Sequence, residues 1–106
     1  MSDYLIIEAR DPYDSADVAN AHALAAGLAD QGSNVTMYLV QNGVFPAREG
    51  STAAADLTAL SGKIDVLADD FSLRERGITQ LAEGVTQSSV DSLVDMRADG
   101  RKVIWH

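Results

Sequence analysis

The chain has no cysteine at all. That absence excludes disulfides, thiolate nucleophiles and cysteine-ligated metals together. Histidine is nearly as scarce, with only His22 and His106. Positive charge is thin: 8 Lys and Arg stand against 16 Asp and Glu, a net charge of −8. Nucleic acid calls for a basic footprint and an anionic membrane for basic patches, so neither partner suits this balance. The acidity reads as solubility. No apolar run nears the roughly 18 residues that cross a bilayer. Polar and acidic residues follow Met1 at once, unlike a secretory signal. The expectation is a cytoplasmic protein. Neither Gly-rich phosphate loop occurs, and the series Glu8, Asp11, Asp14, Asp17 lacks the order of a calcium-binding loop. Ser72 has no His–Asp partnership that the sequence supports. No cofactor and no metal site is expected.

What is present is a regular alternation of strand and helix signals over one domain, residues 1–106. The run Tyr4-Leu5-Ile6-Ile7 reads as a buried first strand. Asp11-Pro12-Tyr13-Asp14-Ser15 is turn chemistry. An Ala-rich helix is expected over about 15–31, capped by Asp14 or Ser15 and stopped by Gly32. Its apolar stripe is Val18, Ala21, Leu24, Ala25 and Leu28. Residues 35–40 form a second apolar strand, and Gln41-Asn42-Gly43 turns the chain. A helix over about 52–60 takes Ser51 as cap and Gly62 as stop. Residues 63–68 form the third strand. A short helix over 71–76 ends at Gly77. A brief fourth strand is expected within 79–86. Ser88-Ser89 caps a helix over 90–98, with Val90, Leu93, Val94 and Arg97 on its inward face and flank. Residues 102–105 close the chain as a strand. Alternating strands and helices imply right-handed βαβ units, a parallel sheet and helices on both faces.

In such sheets ligands gather just past the carboxyl ends of the strands. The stretch Ala68-Asp69-Asp70-Phe71-Ser72 occupies that place after the third strand. Asp69 and Asp70 suit either of two roles: capping the short helix, or lining a small polar pocket with Ser72, Asp11 and Asn42. A receiver-type phosphoacceptor is disfavoured, because Glu8 has the wrong offset and Lys102 begins its strand. His22 reads as a helix-flank residue, and His106 as either frayed or tucked at an interface. Met37 and Met96 read as core. Of the aromatics Phe45, Phe71, Tyr13 and Trp105, several fall in loops or at a chain end, where they either anchor an interface or cover the sheet's edges in a monomer.

The order of these parts resembles the DsrE/DsrF/DsrH family of small sulfur-relay proteins. The resemblance is carried by the opening strand, by Ala29-Asp30-Gln31-Gly32-Ser33-Asn34-Val35, by Gln41-Asn42-Gly43-Val44, by Leu73-Arg74-Glu75-Arg76-Gly77-Ile78, and by Arg101-Lys102-Val103-Ile104-Trp105. It implies a three-layer α/β/α sandwich around a five-stranded parallel sheet, and a homotrimer or hexamer. Sulfur-carrying members hold a cysteine in the segment matching residues 68–72. This chain has Asp69, Asp70 and Ser72 there, and persulfide transfer needs a polarizable thiolate. The resemblance therefore implies no thiol-dependent sulfurtransferase and no catalytic residue. It implies an oligomeric binding or accessory module that engages a protein partner or small ligand. The alternative is a small-molecule enzyme or metal-binding protein using Asp69 or Asp70.

Overall fold

The computed structural model describes residues 3–106; Met1, read as the initiator, lies outside them. Five strands form one sheet in the order β4-β3-β2-β1-β5, every neighbouring pair parallel. They are β1 (Asp3–Glu8), β2 (Asn34–Leu39), β3 (Asp65–Asp69), β4 (Val85–Ser88) and β5 (Lys102–Trp105). The helices are α1 (Asp17–Asp30), α2 (Ala54–Ser61), α3 (Asp70–Glu75) and α4 (Val90–Ala98), and a 3-10 segment spans Gln41–Ala47.

Period-two alternation divides the core. Ile6, Met37, Leu39, Val66 and Ala68 pack with Ala25 of α1 and with Leu57 and Leu60 of α2. Leu5, Ile7 and Tyr38 pack with Leu93 of α4, and Leu67, Met96 and Val103 join them. Both sheet faces are therefore covered, which is why the central strands read as nearly unbroken apolar runs. The three-layer α/β/α architecture expected from the family resemblance is what the chain forms.

Several local expectations shift. α1 begins at Asp17 with Ala16 at its N-cap and no side-chain cap; Ser15 Oγ accepts from Asp17 N at 3.3 Å instead. α2 begins at Ala54, because the Ser51 hydroxyl donates to the Pro46 carbonyl at 3.0 Å and so leaves the helix uncapped. β4 lies at Val85–Ser88 and meets the expected 79–86 window only at its end. The inward face of α4 is narrower than expected: Leu93 is buried, while Val90 and Val94 are 59% and 58% exposed. Leu24, assigned to the α1 stripe, is also exposed.

Two glycines carry geometry. Gly32 has φ +91° and closes α1. Its N–H reaches the Ala29 carbonyl at 3.0 Å, and Ser33 N reaches Leu28 O at 3.1 Å, the paired bonds of a Schellman motif. Gly43 lies against β1, where a Cβ would collide with the Glu8 carbonyl oxygen and crowd the Cα of Ala9. That close approach holds the 3-10 segment over the carboxyl ends of the strands.

Candidate functional site

Asp69 ends β3 and caps α3. Both of its carboxylate oxygens are engaged inside the protein. Oδ1 accepts from the Tyr38 hydroxyl at 2.7 Å, and Oδ2 accepts from Ser72 N at 2.9 Å and Ser72 Oγ at 2.8 Å. Asp69, Ser72 and Tyr38 are all buried. Burial pushes the Tyr38 phenol well above its ordinary value; its hydrogen bond to Asp69 and the charges of Asp69 and Asp70 push it further. A phenol so held keeps its proton and acts as a permanent donor.

The network extends to the start of the 3-10 segment. Gln41 N donates to Ser72 Oγ at 2.8 Å. Gln41 has φ +50°, the left-handed region that side chains with a Cβ seldom enter. The Ser72 bond holds that turn in place. Beside it, Asn42 Oδ1 accepts from Arg76 Nε at 3.2 Å and Nη2 at 2.9 Å. Arg76 Nη1 donates to the Ser72 carbonyl at 3.3 Å, and the guanidinium lies 5.6 Å from the Phe45 ring centre.

A cleft of about 500 Å³ opens here, lined by Asn42, Asp69 and Ser72, with Phe71, Val90 and Leu93 as its apolar wall. The five expected site residues therefore do not form one pocket. Asp69, Ser72 and Asn42 share this cleft. Asp70 pairs instead with Arg74 at 3.6 Å, one turn along α3. Asp11 lies on a neighbouring cleft with Tyr13 and Arg48, its Oδ1 accepting from Tyr13 N at 2.9 Å. Among the described residues, no group of three or more His, Asp or Glu side chains is arranged to hold a metal.

Sequence reasoning missed the Asp69 partner, Tyr38, which sits 31 positions earlier in an apolar strand. Only strand register could have found it, since the β2–β3 pairing places Tyr38 opposite Leu67, two residues before Asp69. It also missed a second buried carboxylate. Glu8, 1% exposed at the end of β1, faces His106, whose Nδ1 lies 2.8 and 2.9 Å from its two oxygens. His106 N donates to the Ile7 carbonyl at 2.8 Å, so this residue is tied to the sheet rather than frayed. His22 is a half-buried flank residue of α1, and its Nε2 is buried with no hydrogen-bond partner among the described residues. Burial lowers its pKa and the nearby His106 adds to that, while Glu8 and Asp56 act the other way.

Solved structures share the whole architecture. The YchN protein from E. coli superposes with a TM-score of 0.91 over 100% of both chains at 21% identity. A protein of unknown function, MTH1491 from Methanobacterium thermoautotrophicum, gives 0.81 at 23% identity over 99% of this chain and 98% of its own. Another conserved protein of unknown function, BT1422 from Bacteroides thetaiotaomicron, gives 0.81 at 16% identity over 99% and 95%. These likenesses establish the fold. No curated protein matches the chain. The family model described as DsrH like protein matches residues 12–103, which takes in every element from α1 to α4 and the Asp69 site. The chain belongs to the DsrH-like family.

Proposed function

We propose that this protein is a non-catalytic, oligomeric binding or accessory member of its family that does not itself carry sulfur. The observation that carries this reading is the state of Asp69, at the turn where the resemblance puts the family's cysteine. Its two oxygens already accept three hydrogen bonds from Tyr38 and Ser72. A carboxylate saturated by fixed donors serves the fold, and it is poorly placed to trade protons with a substrate. Asp70 is occupied by Arg74. With no cysteine, no side chain can form a persulfide.

Assembly has its own support. Phe71 and Trp105 are 59% and 62% exposed, alongside Val90 and Val94. Val90 and Val94 are on α4, Trp105 ends β5, and Phe71 and Val90 share the wall of one cleft. Large apolar side chains left exposed in this number support a protein–protein surface.

Native mass spectrometry tests the reading. The expected species is three or six copies of the 11.3 kDa chain. Val94→Asp, which alters no buried side chain, should dissociate it while leaving circular dichroism unchanged. A wild-type protein found only as an 11.3 kDa monomer overturns the assembly. Gain of a sulfur atom's mass after exposure to a sulfane donor overturns the non-carrier role.

A further inference from the structure

A second cleft, of about 450 Å³, lies beside the first and shares Arg76 with it. It sits over the carboxyl ends of β1, β2 and β3, lined by Asp11 and Tyr13 after β1, Phe45 and Arg48 after β2, and Arg76 after β3. Its charge is unusual for this molecule. The chain is strongly acidic, and four of its eight basic side chains are paired with a carboxylate: Arg10 on Asp17, Lys63 on Asp30, Arg74 on Asp70, Arg101 on Asp99. Arg48 and Arg76 form no ion pair among the described residues, and both line this cleft. The one carboxylate on the lining, Asp11, accepts from Tyr13 N.

The Arg76 guanidinium is oriented by neutral acceptors only, the Asn42 amide oxygen and the Ser72 carbonyl. Those bonds fix its plane without cancelling its charge. The Tyr13 hydroxyl accepts from Thr52 Oγ1 at 2.8 Å and from Ala53 N at 3.3 Å. An oxygen that accepts twice still has its own proton to give. The same donors, the Thr52 hydroxyl foremost, lower the Tyr13 pKa, which makes that proton a better one to share. The cleft thus offers two guanidiniums and a phenol as donors, next to the flat faces of Tyr13 and Phe45. Guanidinium forks match carboxylate and phosphate oxygens in plane. The volume suits a small organic molecule more than a bare ion.

We propose that this cleft binds a small organic oxyanion, a carboxylate or phosphate group borne on a flat apolar body, gripped by Arg48, Arg76 and the Tyr13 hydroxyl. The inference goes beyond the accessory role, since it assigns a ligand class to a cleft other than the Asp69 one, and it stands whether or not the protein assembles.

The test is an amide NMR titration of the full chain with phenyl phosphate, benzoate, inorganic phosphate and benzyl alcohol as separate probes. Phenyl phosphate or benzoate should give saturable shifts centred on Tyr13, Phe45 and Arg48, and the tighter of the two identifies the acid group. Arg48→Gln, at an exposed residue with no ion pair, should weaken that binding about tenfold with an unchanged melting temperature. Tyr13→Phe should weaken it severalfold. Absence of saturable shifts with both organic anions overturns the proposal. Equal affinity in Arg48→Gln does so as well. Inorganic phosphate binding as tightly as phenyl phosphate, or benzyl alcohol as tightly as either, refutes the stated ligand class.

Discussion

Removing the Asp69 carboxylate should cost this protein stability rather than any chemistry. In Asp69→Ala the wholly buried Tyr38 loses the acceptor 2.7 Å from its hydroxyl, and Ser72 loses the oxygen that takes both its N–H and its Oγ proton. A buried polar group left unpaired costs about 1–3 kcal/mol, and a lost helix N-cap costs about 1 kcal/mol. Because these losses share one network they do not add in full, and about 3 kcal/mol is expected in total. At about 4–8 °C per kcal/mol for a domain near this size, the melting temperature should fall by about 15 °C. Asp69→Asn keeps the shape and one acceptor, so about 1 kcal/mol is expected. Asp70→Ala removes only a surface pair with Arg74, and its cost should stay within about 0.5 kcal/mol. Urea unfolding followed by far-UV circular dichroism measures all three. Tyr38→Phe added to Asp69→Ala completes a cycle, in which the double variant should be less destabilised than the sum of the singles. A catalytic carboxylate behaves the other way, since sites built for chemistry are commonly held at some cost to stability. If Asp69→Ala matches the wild-type midpoint, or Asp70→Ala costs more than Asp69→Ala, the structural account of this turn fails.

The remaining predictions concern other elements. His22 titrates in the folded protein below its ordinary value of 6.5, mainly through burial. The unfolded chain therefore binds the proton first, and stability is present above about pH 6.5 and lost as pH falls through the folded pKa. The wild type should lose more stability than His22→Gln between about pH 7 and pH 5.5 in urea titrations, and parallel profiles would discard the idea. Gly43→Ala sets a methyl group against the Glu8 carbonyl, a backbone atom that cannot swing aside. It should cost about 2–3 kcal/mol, and a melting temperature within 2 °C or so of wild type would show that the 3-10 segment gives way instead.

The fold was legible because its signals are local. Ser89 caps α4, and Val90–Ala98 matches its expected span. Gly32 stops α1 in the left-handed conformation that the turn requires. Where local signals compete, tertiary geometry decides. Ser51 reads as a cap until Pro46 places a carbonyl within reach of its hydroxyl. Val90 and Val94 read as inward by spacing alone, yet α4 meets the sheet chiefly through Leu93. The site was half legible. A strand end followed by two carboxylates points to the right turn, and Asp69 does cap α3 as the residue order allows. Its partner Tyr38 in β2 and the bond from Gln41 N at the start of the 3-10 segment each lie 31 positions away, so no local spacing records them. The Glu8–His106 contact, 98 positions apart, is hidden for the same reason.

The Glu8–His106 contact occupies a special place in the topology. From β1 the chain steps outward through β2, β3 and β4, then returns across the sheet to lay β5 on the other side of β1. The order reverses there, with α1 on one face and α4 on the other. In open parallel sheets that reversal parts the crossovers and leaves a crevice at the strand ends, the usual berth for a ligand. Here the berth has a tenant supplied by the chain: the His106 imidazole rests on the Glu8 carboxylate, and its backbone is pinned to Ile7. Emptying it would take one partner from a buried carboxyl group that otherwise accepts from Arg10 N at 3.2 Å. Neither cleft is lined by Glu8 or His106; both open at the strand ends beside this contact.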